Sequence, residues 1–353
     1  MLDIFKKFFL KKKFKKKKYL VAVSGGVDSM VILVIFFKIF KHNLGVLNCH
    51  FNLNNNYDSN ILILKYCLKR NINFYFKNFN LKKKRKKKSK QMVAREVRYK
   101  WFYKILKKYK YDYLILGHNL NDNIETFFIN LLRGSGVFGL KGIKFKNKKI
   151  IRPYLIFNIN KKKILNYAIK KKIKWVDDKS NFKNIYLRNK IRNLILPFLK
   201  KNLNNFEKNL YNSLRNLKLE YLFLKNIIYK IKKKIFFKRK ILNFKLYFLN
   251  IKKILNFKYY NYILYKIFFK YGFKNKKNLN NSIFLKSGKF IFSNKKKFIL
   301  IKHKKYLIFT KNKNYKIKKK IKNLGFFFIL KNIFFKLKEI KKKKKKKKKI
   351  YIY

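Results

Sequence analysis

Two kinds of apolar pattern alternate along the first two hundred residues. Tyr19 to Val23, Leu44 to Asn48, Asn73 to Phe79 and Tyr113 to Leu116 are short apolar runs of strand length. Met30 to Phe40 is apolar almost throughout, and Asn60 to Lys69 gathers its apolar residues on one face. Gln91 to Tyr109 sets Val93, Val97, Trp101, Ile105 and Leu106 at helical spacing, and a further helix is predicted from about Asn121 to Leu132. Strands alternating with helices predict an α/β fold, a parallel sheet flanked by helices on both faces. Ligands of such sheets bind at the carboxyl ends of the strands. Past Pro197 the pattern changes. Asn205 to Lys234 and Lys253 to Tyr271 read as helices, and Ile283 to Phe309 breaks into short apolar runs around Ser287-Gly288, a small C-terminal β-containing module. The expected organisation is a basic lead over 1–18, a catalytic domain over 19–205, a helical region over 206–275 and the β-containing module with a polylysine tail over 276–353. There is no internal repeat.

Composition changes this picture in one respect. The 353 residues include 98 Lys or Arg against 12 Asp or Glu, a net charge of +86. The abundant residues (Lys, Asn, Ile, Phe, Tyr) have A/T-rich codons, so an A/T-rich reduced genome, bacterial or organellar, accounts for most of the excess. Lys82 to Lys88 and Lys341 to Lys349 are then solvated runs before they are binding arms. The field is real all the same: it draws polyanions and makes their binding salt-dependent. Two cysteines make neither a disulfide framework nor a Cys-rich zinc module. No apolar run approaches the roughly 18 residues that span a bilayer, and no signal peptide stands out. A cytoplasmic protein without a membrane partner is expected.

Against so biased a background, gathered glycines and acids carry information. Five of the eleven glycines lie between Gly117 and Gly142, with Asp122 and Glu125 among them. The other cluster is Ser24-Gly25-Gly26-Val27-Asp28-Ser29, at a predicted strand–helix junction. There, backbone N–H groups and a helix start face an anion, glycines admit a phosphate without a Cβ in the way, and the Ser24 and Ser29 hydroxyls add donors. Asp28 beside a phosphate is sensible only if it helps hold a hard cation such as Mg²⁺. The Gly-Lys-Ser/Thr of a Walker A loop is missing. Asp122 and Glu125, three apart, share one helix face. As exposed carboxylates they would hold Mg²⁺, bind an ammonium or take a proton from one. Arg133-Gly134-Ser135-Gly136 supplies a helix cap and a flexible, donor-rich loop, and His118 at a strand's carboxyl end is placed to contact nucleotide.

Ser-Gly-Gly-Xaa-Asp-Ser resembles the pyrophosphate loop of the ATP pyrophosphatases, or PP-loop enzymes. The stretch GHNLNDNIETFFINLLRGSGVFGLKGI resembles a block of the tRNA(Ile)-lysidine synthase family. So do Ala94-Arg95-Glu96-Val97-Arg98-Tyr99, Arg152-Pro153-Tyr154-Leu155 and the segment from Trp175 to Pro197, in order, over roughly residues 19–200. Ile283 to Phe309 resembles that family's C-terminal β module. The resemblance implies a ligase that uses ATP to join free lysine to C2 of the wobble cytidine in a CAU-anticodon isoleucine tRNA. An adenylated cytidine is the intermediate, and AMP and pyrophosphate are released. It also implies roles. Ser24, Gly25, Gly26, Val27, Asp28, Ser29 and His118 bind nucleotide, with Asp28 on Mg²⁺. Asp122 and Glu125 receive the lysine ammonium, and Arg188 and Arg192, four apart on a predicted helix, stabilise the intermediate or bind phosphate, unless they are solvated helix charges. Arg95 and Arg98 contact the tRNA backbone, Arg133 contacts tRNA or lysine, and the 206–275 region contacts tRNA. Asp177 and Asp178 cap or pair locally.

In the block, Asn121 replaces the first Asp of the family's Asp-Asp pair and Asn123 its usual Gln; separately, His50-Phe51-Asn52-Leu53-Asn54 stands where the family has His-x-x-His-Gly, losing the second His and the Gly at Leu53 and Asn54. Two other readings stay open. A tRNA thiolase of the same superfamily would deliver sulfur through cysteines, which Cys49 and Cys67, eighteen apart, serve poorly. A non-catalytic basic RNA-binding relic is the second.

Overall fold

The computed structural model describes residues 1–51, 57–80, 90–177, 184, 186–241 and 244–311. Leu53, Asp178, Lys82 to Lys88 and Lys341 to Lys349 lie outside the described residues. The chain divides into two compact units, Met1–Tyr221 and Leu222–Tyr353.

The first unit is built on a six-stranded sheet of β1 (Tyr19–Ala22), β2 (Leu44–Phe51), β3 (Asn73–Phe79), β4 (Tyr113–Leu116), β5 (Lys146–Asn147) and β6 (Ile150–Ile151), in the order β3-β2-β1-β4-β6-β5. All neighbours are parallel except β5 and β6. Tyr19 pairs with Leu44 on one side and Tyr113 on the other, so β1 is the central strand from which both neighbours are reached by crossovers.

Alternation along these strands feeds two cores. Tyr19, Val21, Val46 and Ile115 join a cluster with the Val27–Phe40 helix and the Lys161–Lys170 helix. Leu20, Leu47, Leu114 and Leu116 face the other way, onto Trp101, Phe102 and Leu106 of the Lys90–Lys108 helix. Side chains alternate across a strand, so helices covering both faces are what this pattern requires. The Val27–Phe40 helix is buried nearly all round, which explains its unbroken apolar run.

Residues 1–18, read above as a basic lead, contain the Leu2–Phe9 helix. Its Phe5 and Phe9 are fully buried in the first cluster, with Phe9 ringed by Tyr19, Phe36 and Phe40. Aromatic burial of that size outweighs the lysines around it.

The Phe206–Ile235 helix leads into the second unit. That unit holds an antiparallel sheet, β7 (Phe236–Ile241), β8 (Phe244–Asn250), β9 (Phe290–Phe292), β10 (Phe298–His303) and β11 (Tyr306–Lys311), in the order β7-β8-β11-β10-β9. The last three strands fall in the predicted meander. The first two lie inside the segment read above as helical, where Leu246, Phe248 and Leu249 are buried. No helix among the described residues is long and apolar enough to cross a membrane.

Candidate functional site

Two strand ends meet at the centre of the parallel sheet. After β1 the chain turns through Ser24-Gly25-Gly26 into the Val27–Phe40 helix. The Ser29 hydroxyl donates to the Gly26 carbonyl at 2.8 Å and accepts the Ser24 N–H at 3.1 Å, closing the loop on itself. Gly25 has φ +90, and a Cβ there would stand 2.5 Å from that of Ser59, so only glycine fits. After β4, Gly117 passes so close to Asp28 that its Cβ would lie 3.1 Å from the Asp28 carbonyl oxygen. That approach brings the two predicted motifs together.

Asn119 joins them. Its Nδ2 donates to Asp28 Oδ1 at 3.0 Å, and its Oδ1 accepts the Asp122 N–H at 3.1 Å. Asp122 Oδ2 in turn accepts the Asn119 N–H at 2.9 Å, a capping box at the start of the Leu120–Leu131 helix. Asp28 therefore reaches Asp122 through one side chain. Its other oxygen accepts Lys161 Nζ at 2.7 Å, and Tyr154 donates to its carbonyl at 3.0 Å. Burial raises the Asp28 carboxyl above the ordinary carboxylate range against the lowering effect of Lys161, and the nearby Asp122 charge adds to the rise.

The carboxylate pair is not exposed as the sequence led us to expect. Glu125 is 1% exposed. Arg188 Nε donates to its Oε2 at 2.6 Å, while Arg192 donates from Nε to Oε1 at 2.6 Å and from Nη2 to Oε2 at 3.1 Å. Arg188 Nη2 also reaches Asp122 Oδ1 at 2.6 Å. A sealed carboxylate requires counter-charge, and these arginines provide it, so they are not solvated helix charges. Burial opposes the Arg192 charge, but the Glu125 hydrogen bond and the charges of Glu125, Asp122 and Asp28 hold its pKa above the usual value. Arg188 lies on the Leu187–Lys190 helix and Arg192 on the π-helical turn Ile191–Ile195 that follows. Ile191 and Leu196 pack on Ile124 and Leu214, which docks this segment against the Leu120–Leu131 helix.

A second electropositive cluster surrounds His118. Burial first, then Arg152, Arg188, Arg95 and Arg98, push its pKa down to about 3. His118 Nδ1, Arg98 Nε and Arg152 Nε are buried without hydrogen-bond partners. Arg95 and Arg98 stack over Tyr99 and Phe51 at 5.0 and 5.1 Å. Three orphaned polar atoms within one positive field suit an anionic ligand.

Arg133 stands apart. It is exposed and lies past Leu132, the C-cap of the Leu120–Leu131 helix, whereas Asp122 lies in that helix's first turn. The loop after it is tied down at two points. Asn130 Nδ2 donates to the Gly139 carbonyl at 2.9 Å, and Asn123 Oδ1 accepts the Ile143 N–H at 2.6 Å. Asn123 thus has a structural task, as does Asn121, whose Oδ1 accepts the Lys161 N–H at 2.9 Å. Asp177 accepts from Trp175 Nε1 at 3.4 Å. Asn119 and Lys161 were not legible as site residues. For Asn119 the signal was its capping-box spacing to Asp122; Lys161 is the first of three consecutive lysines.

A hard cation fits beside Asp28, because such ions take one or two carboxylates and complete their shell with phosphate oxygens and water. Lys161 already places a positive charge there. Among the described residues no group of three or more His, Cys, Asp or Glu gathers, so the protein alone forms no closed metal cage.

Residues 2–199 match the PP-loop domain model, and residues 244–313 match the TilS substrate binding domain. The chain is similar to tRNA(Ile)-lysidine synthases of Clostridium tetani (34% identity over 54% of this chain and 42% of the relative) and Mycoplasma mycoides (38% over 55% and 48%). The synthase of Buchnera aphidicola is 35% identical over 61% of this chain and 50% of its own. Each match thus spans about half the length of the curated relative. Because the domain model matches more than half of its length, this chain belongs to the PP-loop domain family.

Proposed function

We propose that the protein is a cytoplasmic ligase that uses ATP to convert the wobble cytidine of a CAU-anticodon isoleucine tRNA to lysidine. The observation that carries this reading is the Asn119 bridge, which sets a phosphate loop and a carboxylate–arginine cluster in contact. The match of residues 244–313 to the TilS substrate binding domain supports the choice of tRNA.

The C2 oxygen of cytidine attacks the α-phosphorus of ATP and pyrophosphate leaves. The lysine ε-amine then attacks C2 and AMP leaves. Ser24 to Ser29 bind the pyrophosphate through backbone N–H groups and hydroxyls. Asp28 is the residue that would hold Mg²⁺, which when bound neutralises charge on the leaving group. Asp122 and Glu125 receive the lysine ammonium and take its proton. Because both are engaged by Arg188 and Arg192, the ammonium enters by exchange, and the released guanidiniums turn to the adenylate phosphate. His118, Arg95, Arg98 and Arg152 bind the nucleotide or tRNA phosphate that their field favours. Thiolation is disfavoured. Burial raises the Cys49 thiol and pushes Cys67 up to about 12, leaving little reactive thiolate.

The test is direct. Full-length protein is incubated with ATP, lysine and the CAU-anticodon tRNA, and the tRNA nucleosides are analysed by mass. Lysidine is expected, at the expense of cytidine and with AMP released. Sulfur in the product, or no new nucleoside beside intact binding, would end this assignment.

A further inference from the structure

Asp28 offers two oxygens, and each is taken by a side chain from a different part of the first unit: Asn119 on Oδ1 and Lys161 on Oδ2. Lys161 is fixed where it stands. Its N–H donates to Asn121 Oδ1, Asn160 caps the helix that it opens by accepting the Lys163 N–H at 3.0 Å, and the Leu120 N–H donates to the Ile159 carbonyl at 3.0 Å. Its side chain is 46% exposed and that of Asp28 29% exposed, so the ammonium is anchored at its root and open to water at its tip. An ammonium so placed can leave without unfolding anything. A divalent cation arriving at Asp28 needs the same oxygen.

We propose that Lys161 is the resident counter-cation of the nucleotide site. It occupies Asp28 Oδ2 until a divalent ion displaces it, and the displaced ammonium then binds the phosphate chain. The second half rests on the ATP reading above; the first does not. A lone carboxylate at the mouth of a phosphate cradle would repel polyphosphate, and Lys161 compensates it in the ligand-free protein. After exchange the positive charge remains at the site, now directed at phosphate. Asn121 is the positioning residue. The block this chain resembles carries Asp there, whereas a neutral amide holds the Lys161 backbone without offering a second carboxylate to its ammonium.

The experiment titrates the full chain with Mn²⁺ in the absence of nucleotide, following free Mn²⁺ by electron paramagnetic resonance. Lys161→Met is expected to tighten binding about three- to fivefold, the scale of a partly exposed ion pair. Lys161→Arg should bind no more tightly than the unaltered protein, and Asp28→Asn added to Lys161→Met should abolish the gain. No tightening in Lys161→Met, or a gain that survives Asp28→Asn, overturns the displacement. At saturating Mg²⁺, which frees the ammonium from Asp28, ATP binding by equilibrium dialysis should weaken in Lys161→Met; unchanged ATP affinity overturns the phosphate half. Lys161→Gln repeats both measurements should the Met variant fold poorly. Neither uses tRNA or lysine, so a protein that forms no lysidine leaves both results standing.

Discussion

Glu125→Gln is the sharpest test of the carboxylate–arginine cluster. Glu125 is sealed from water and accepts three guanidinium hydrogen bonds, while Arg188 and Arg192 keep 33% and 38% of their side chains exposed. Glutamine keeps the shape but removes the charge and turns an N–H₂ toward donors. Removing one partner of a fully buried pair costs about 3–5 kcal/mol, and exposed pairs are worth about 1 kcal/mol or less. With one side sealed and the other a third open, about 2–3 kcal/mol is the reasonable loss. At about 2–4 °C per kcal/mol for a unit of this size, Tm should fall about 4–12 °C. Thermal unfolding by circular dichroism measures it. The double variant Glu125→Gln/Arg192→Gln should recover about 1–3 kcal/mol of the summed single losses, since it also removes the stranded guanidinium. A Tm drop under about 2 °C together with additive losses would show that shape rather than charge pairing holds the cluster.

Two titrations extend the same reasoning. Burial raises the Asp28 pKa above its unfolded value, so the charged form costs folding free energy at pH above both. Asp28→Asn should therefore raise Tm at pH 8, with the gain shrinking as pH falls through the Asp28 pKa. A lower Tm at pH 8 would contradict the burial argument. His118 has the opposite sign. Its folded pKa of about 3 lies below the unfolded 6.5, so in that window the unfolded chain takes a proton that the folded one refuses. Stability should drop as pH falls below about 6.5, by up to about 1.4 kcal/mol per unit from this group. Urea unfolding at pH 5 to 7 with His118→Gln should flatten that slope; an unaltered slope would rule out a buried neutral imidazole.

The strands of the first sheet were legible because β1, β2 and β4 are short, apolar and bounded by polar turns, and because composition bias made Gly25-Gly26 and the Asp122–Glu125 pair conspicuous. Lysine, by contrast, carried almost no signal. Lys161 reads as one more solvated cation, although its position is set by Asn121 and Asn160, themselves lost among many asparagines. Residues 1–18 look like a charged lead because their lysines outnumber Phe5 and Phe9, whereas burial counts aromatic area and not charge. β7 and β8 were hidden for a related reason: Phe, Ile, Leu and Lys fill both helices and strands in this chain, so periodicity loses contrast. Glu125 was misjudged because helix spacing identifies a shared face but not what covers it. Its cover comes from Arg188 and Arg192, more than sixty residues away.

That cover also explains how so basic a protein localises chemistry. A net charge of +86 attracts anions to the whole surface and therefore selects no place on it. Selection requires cations held in fixed directions, and a flexible Lys or Arg in water is not fixed. Carboxylates supply the fixing. Glu125 orients Arg188 and Arg192 through their Nε–H groups, Asp28 orients Lys161, and Asn119 locks Asp28 to Asp122. Each buried carboxylate is tolerable only with its cation, and each cation is directed only by its carboxylate. Adding lysines elsewhere would raise affinity for any polyanion at low salt without directing it to this cluster, whereas deleting any one of these three acids should disorder the cations that it holds.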